Sequence, residues 1–260
     1  MKRKNTYAIY PLIMTVLTYL PILVVVVYSF NESKLSSVWS GFSLTWYKAL
    51  FRDKSMIEAL FNSIFLGLTS SVLAAIIATA AALGIQNSRL PGIKLAEKLS
   101  TLPMIIPEIV LGMVFLAFFS LIQLPFGMLT LIIAHTAFCI PYIYMQVSAR
   151  LIGMDKAVTE AARDLGASRF RAFTDITLPY LTPAIVSGMF LSFAMSFDDV
   201  IISIFVTGVS VNTLPIKVYT QLKTSVSPKI NALCTIMLAV TILCYAASAI
   251  IRHVSEKKKH

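Results

Sequence analysis

Residues 63–86 read SIFLGLTSSVLAAIIATAAALGIQ, a stretch without one charged side chain. A helix rises 1.5 Å per residue, so a run of this length exceeds the roughly 30 Å of hydrocarbon in a bilayer. A barrel strand would need only about 10 residues of alternating polarity, and this run does not alternate. Inside lipid every backbone amide must find its partner locally, so an unbroken apolar run is a helix. Five further stretches qualify on the same grounds. Together they predict spans at Tyr7–Phe30, Ser63–Gln86, Thr101–Leu121, Met128–Ser148, Tyr180–Val206 and Asn231–Ile251. The expected fold class is an all-α polytopic membrane protein, a single domain over residues 1–260 with six transmembrane helices.

The composition excludes an ordinary soluble domain. Charged residues make up 13% of the chain and hydrophobic ones 57%, with a mean hydropathy of +0.81; soluble domains carry about 25% charge. Lys2, Arg3 and Lys4 precede the first apolar run as in a secretory signal. That run is too long for a signal core, however, and Tyr28-Ser29-Phe30-Asn31 offers no small-x-small cleavage site. An uncleaved anchor is expected.

Six spans put both termini on one side of the membrane. That side holds Lys2, Arg3, Lys4, Arg89, Lys94, Lys98, Arg150, Lys156, Arg163, Arg169, Arg171, Arg252 and Lys257 to Lys259. The other side holds Lys34, Lys48, Arg52, Lys54, Lys217, Lys223 and Lys229. Basic residues favour the first side about two to one, which makes both termini cytoplasmic. The net charge of +10 is then mostly topology and attraction to anionic lipid, the bilayer being the partner. No nucleic-acid surface follows, because no soluble segment is large enough to carry one. Cys139, Cys234 and Cys244 all fall inside spans without metal-ligand spacing or a disulfide framework, and they read as small buried hydrophobes. No metal site is expected.

Between the spans, Asn31–Asn62 carries Trp39, Trp46 and Tyr47, suited to an interfacial belt or a surface helix. Within Thr207–Ile230, Pro215 fits the first turn of a short helix on which Val218 and Leu222 share a face. The segment 150–179 is the largest charged one. Asp155 to Leu165 is strongly helix-forming. Gly166 sits where a left-handed residue would end that helix, and Ser168 is placed to cap a second one. The second helix runs through Phe170, Phe173 and Ile176 and is expected to stop at Pro179. Ala161 and Ala162, beside Glu160, leave a flat patch that another backbone could approach closely.

Glu160-Ala161-Ala162, Gly166, Ile176 and Leu178-Pro179 stand at the spacing of the coupling loop of bacterial ABC-importer permeases, and the chain resembles that family. Stretches over nearly the whole chain resemble its polyamine branch, among them Phe42 to Tyr47, Leu191 to Gly208 and Ser227 to Leu233. The resemblance implies a type I importer permease fold in a bacterial inner membrane. It implies a homologous second permease subunit, an ATPase dimer that docks against the loop, and an external polyamine-binding protein. ATP would be used by the ATPase, and no cofactor bound by this chain. Consistently, there is no Gly-x4-Gly-Lys-Ser/Thr phosphate loop, no His-Glu-x-x-His and no Gly-x-Ser-x-Gly, so no catalytic residue is assigned.

The residues themselves point to a cation path. An ionised side chain at mid-bilayer costs about 3 kcal/mol on insertion scales and normally faces a cavity or a partner. This chain places Glu108, His135, Asp198 and Asp199 within its spans, and carboxylate-lined paths select cations. On one continuous helix Asp199 would share a stripe with Ser192, Ser196, Ser203 and Thr207, whereas Asp198 would lie among Leu191, Ala194, Ile201, Ile202 and Phe205. Asp199 is therefore expected to line the path, in the outer part of the bilayer, and Asp198 to pair with a neighbouring span or subunit. Glu108, after Pro103 and Pro107, reads as a second cation station on the inner side, a gate or an interfacial acid. His135 reads as a hydrogen-bonded packing residue, and the small residues Gly67, Ser70, Ser71, Ala74, Ala75 and Ala78 as helix packing. A permease for ferric ion, thiamine, phosphonate or an amino acid would share the loop without needing paired aspartates. A secondary transporter or channel would leave the loop without a purpose, and no internal repeat supports one.

Overall fold

A computed structural model describes residues 3–34, 38–88, 92–209, 211–224 and 227–257, with the backbone alone for residues 3–9, 87, 94, 96, 156 and 244–257. Lys2, Arg89, Lys258 and Lys259 of the orientation set lie outside the described residues, as does the side chain of Cys244. Among the described residues the regular structure is helical, apart from one isolated antiparallel bridge between Asn31 and Phe42. Four helices are long and apolar enough to cross a membrane, and one bent helix pair would make a fifth crossing.

The first apolar run is α1 (Arg3–Ser29), followed by a short α2 (Thr45–Arg52). The run at 63–86 lies inside the longer α3 (Lys54–Asn87). Its extra turns come from Asp53, whose Oδ1 accepts the Met56 N–H at 3.1 Å and so starts the helix early. Residues 101–121 do not form one straight span. They divide between the end of α4 (Ile93–Thr101), a 3-10 turn at Leu102–Met104 and α5 (Glu108–Leu121), with the two parts bent by 108°. Pro107 supplies the physical reason: it holds an extended ψ of 133° and has no N–H for the ladder. The fourth run is α6 (Met128–Ile152).

The charged segment forms α7 (Lys156–Asp164) and α8 (Arg169–Ala172). The second of these does not stop at Pro179. A π-helical stretch at Phe173–Thr177 leads straight into α9 (Leu178–Asp198), with Pro179 in its first turn, where a missing N–H costs little. The fifth run also departs from expectation: α9 ends at Asp198, and a separate α10 (Ile201–Val206) completes it. Helices α11 (Leu214–Thr224), opened by Leu214 and Pro215, and α12 (Pro228–Lys257) close the chain.

The helices pack as two compact units. One comprises the chain up to Ile57 and from Val218 on. In it α1 and α2 both pack on α12. The Lys229 ammonium meets Asp53 Oδ2 at 2.6 Å, and Trp46 Nε1–H donates to the Asn31 carbonyl at 2.8 Å. The other comprises Glu58 to Lys217, and the candidate site lies wholly within it. Its central seam joins α6 to α9. There Leu131, Ala134, Phe138, Ile143 and Val147 of α6 are fully or almost fully buried with Leu181 of α9. Gly188 permits the approach, since a Cβ on it would stand 3.1 Å from the Ile143 Cα.

Candidate functional site

The site forms where the fifth apolar run breaks. Asp199 adopts an extended conformation, with φ −68° and ψ 127°, between α9 and α10. A new helix start leaves backbone N–H groups without partners, and in an apolar interior each needs an acceptor. The Asp199 carboxylate supplies it. Ile202 N–H donates to Oδ1 at 3.2 Å, and Ser203 N–H donates to Oδ2 at 2.8 Å. The Ser203 hydroxyl donates to the same Oδ2, also at 2.8 Å.

Behind this carboxylate is His135 of α6, with no solvent exposure. Its Nδ1 lies 2.7 Å from Ser196 Oγ and its Nε2 3.0 Å from Ser203 Oγ, with Asp199 Oδ2 3.5 Å from Nε2. Donor counting orders these bonds. The one hydroxyl proton of Ser203 goes to Asp199, so Ser203 Oγ must accept, and the proton between it and His135 sits on Nε2. On the other side Ser196 Oγ is 3.2 Å from Ser70 Oγ of α3, whose hydroxyl donates to the Leu66 carbonyl at 2.7 Å. One polar chain thus joins α3, α6, α9 and α10 through a hydrocarbon-like core. One turn along, Ser192 Oγ–H reaches the Cys139 carbonyl at 3.4 Å.

The serine and aspartate stripe read from the sequence is therefore present on one side, but it points inward. Ser192, Ser196, Asp199 and Ser203 are all buried, Asp199 with 7% of its surface exposed. Asp198, expected to pair with a neighbouring span or subunit, is exposed. The reason is that a polar stripe looks the same in sequence whether it faces water or a polar partner. Here His135, on a helix more than 60 residues earlier in the chain, is the partner.

Glu108 lies at the bend of the third run. Bending the third run makes it the first residue of α5, and α5 packs on α10, with the Phe205 ring filling the space a side chain at Gly112 would need. Glu108 thereby comes within electrostatic range of both Asp199 and Asp198. Tyr142 of α6, whose ring packs edge-on to Phe138, lies within electrostatic range of Glu108. Sequence reading passed over Tyr142, because one tyrosine in an apolar helix carries no signal until Glu108 is placed beside it. Ser70 was legible only as a packing residue for the same reason. Among the described residues, no three His, Cys, Asp or Glu side chains gather as a metal ion would require.

The charged segment is built as its capping residues dictate. Asp155 Oδ1 accepts the Ala157 N–H at 2.9 Å to open α7. Gly166 takes φ +92°, a conformation that is costly for residues with a Cβ. Ser168 Oγ accepts the Arg171 N–H at 3.2 Å to open α8. Glu160 and Ala161 are exposed, Ala162 and Ile176 half-buried, and Leu178 and Pro179 lie in the first turn of α9. Leu165 and Phe170 are 90% and 74% exposed on either side of the bend. Beside them a cleft of about 760 Å³ is lined by Glu160, Arg163 and Arg169 at its polar edge and by Leu151 and Phe173 below.

Residues 92–260, well over half of the chain, match the family of binding-protein-dependent transport system inner membrane components. The chain belongs to this family. This permease is 37% identical to the spermidine/putrescine transport system permease protein PotC of Haemophilus influenzae, over 90% of its own length and 91% of that protein. It is 40% identical to the putrescine transport system permease protein PotI of Escherichia coli, over 85% of its length and 81% of the relative. Among solved structures, the fold of the permease matches a chain of a bacterial ABC transporter involved in the import of alginate. That match has a TM-score of 0.69 at 15% identity and covers 96% of this chain and 95% of the other. The MetNI methionine transporter is similar over 76% of this chain and 95% of that one, with a TM-score of 0.59 at 17% identity.

Proposed function

We propose that this permease forms half of the translocation path of an ATP-driven polyamine importer, passing putrescine or spermidine into a bacterial cell. The observation that carries the reading is the gathering of Glu108, Asp198 and Asp199 at two helix breaks, with Asp198 exposed. Polyamines are short chains of ammonium groups, and an exposed carboxylate is the group that would receive one. The curated relatives, named as spermidine/putrescine and putrescine permeases, support the substrate class.

In this reading the chain is one permease domain with six spans, α4 with α5 and α9 with α10 each making a broken one, and both termini cytoplasmic. Asp199, with Ser192, Ser196 and Ser203, braces the path from behind, and Asp198 and Glu108 meet the cation. The segment 150–179 docks on a separate ATPase through Glu160, Ala161 and Ala162. Gly166 gives the bend, while Ile176, Leu178 and Pro179 carry the motion directly into α9. The complex holds a homologous permease partner, an ATPase dimer and an external polyamine-binding protein.

The test is ATP-dependent uptake of labelled spermidine and putrescine by the reconstituted complex. Loss of uptake in Asp198→Asn, with assembly intact, is the expected result. ATP turnover stimulated by the loaded binding protein, without polyamine entering, would discard the substrate.

A further inference from the structure

His135 touches both sides of the break. Its Nδ1 meets Ser196 on α9, and its Nε2 meets Ser203 on α10. The chain between those helices has no helical ladder at Asp199 to set its direction, and the direction it takes decides how α10 leaves the end of α9, which Asp198 closes. Two sets of bonds hold the turn. One is the Asp199 carboxylate on the Ile202 and Ser203 amides. The other is the His135 Nε2–H bond to the same Ser203 hydroxyl that feeds Asp199. A buried imidazole costs desolvation wherever it sits, and an apolar side chain of similar size would pack here without that cost. What the imidazole adds is a donor that keeps the Ser203 hydroxyl directed at Asp199.

We infer that His135 is a positioning residue for transport. By donating to Ser203 and so orienting Asp199 into the start of α10, it fixes the turn that follows Asp198 at the end of α9, beside the carboxylate that meets the cation. His135 itself touches no substrate. The inference rests on the polyamine reading for its transport consequence, but the hold on the turn does not.

The side chain offers a chemical dissection. A glutamine amide reaches about as far as imidazole Nε2, and an asparagine amide about as far as Nδ1. In the reconstituted four-component transporter, His135→Gln retains a donor for Ser203 and is expected to keep KM for spermidine within about twofold of the parent. His135→Asn keeps only the Ser196 side. It is expected to raise KM about tenfold, the scale of losing one helix-capping interaction, while Vmax per assembled complex stays near the parent value. Asp199→Asn should do the same. The double variant His135→Asn/Asp199→Asn should be no worse than either single one, because both act on one bond set.

A second readout needs no substrate. Hydrogen–deuterium exchange of the peptide covering residues 197–207 should speed up about tenfold in His135→Asn and hold in His135→Gln. Equal damage from Gln and Asn, additive losses in the double variant, or unchanged exchange in His135→Asn would each overturn the role of the His135–Ser203 bond. If the parent complex moved no polyamine, the proposed substrate would fall, and the exchange experiment would still decide the role of His135.

Discussion

Replacing Gly188 by alanine should loosen the seam on which the whole site depends. A Cβ there would stand 3.1 Å from Ile143 Cα, 3.2 Å from its Cγ2 and 3.3 Å from its Cβ. Ordinary contact begins near 3.4 Å, so α6 and α9 would have to part by a few tenths of an ångström. The first atom met is backbone, so no rotamer change relieves it. Overpacking of this kind costs about 1–3 kcal/mol, against a gain of about 0.5–1 kcal/mol from replacing a helical glycine. A net loss of about 1 kcal/mol follows. The same separation would stretch the bonds between Cys139 and Ser192, already 3.4 and 3.5 Å, and then the His135–Ser196 bond one turn further on. Gly84→Ala is the matched control. It lies in α3 with nothing within 4 Å of its would-be Cβ and should gain the helix term alone. The assay is thermal unfolding of the purified complex in detergent, with uptake measured on the same preparations. Gly188→Ala should melt several degrees below the parent and Gly84→Ala at or above it. Equal midpoints for the two variants would refute the claim that this close approach sets the seam.

Three other outcomes are expected. Glu160→Lys should insert normally but abolish ATP-coupled uptake, seen as ATP turnover that the loaded binding protein no longer stimulates. Gly208→Ala meets two penalties, a φ of +68° and a Cβ 2.8 Å from the Phe126 carbonyl oxygen, so it should lose 2 kcal/mol or more, measured as a collapse in the yield of folded complex. Lys229→Met breaks an ion pair whose side chains are each 21% exposed, so it should cost less than about 1 kcal/mol of thermal stability, whereas Asp53→Ala should cost more because it also removes the bond to the Met56 amide.

Much of this architecture was legible along the chain because its determinants are local. The length and hydropathy of residues 63–86 require a helix in lipid whatever surrounds it. Asp155, Gly166 and Ser168 set α7, the bend and the start of α8, since a cap or a left-handed glycine acts within four residues. The family was legible for the same reason, its signature lying in that one segment. The two helix breaks were not legible in the same way. Asp199 resembles any aspartate at the i+3 position after Ser196, and only the α10 amides that need an acceptor and His135 behind them make it a turn. Pro103 and Pro107 signalled the disturbed helix, and Pro107 sets the bend, but that Glu108 comes within electrostatic range of Asp198 follows from the packing of α5 on α10. Which aspartate is buried and which exposed is set by partners 60 or more residues away in sequence. A charge inside a bilayer is stable only where tertiary packing brings it a partner or a cavity.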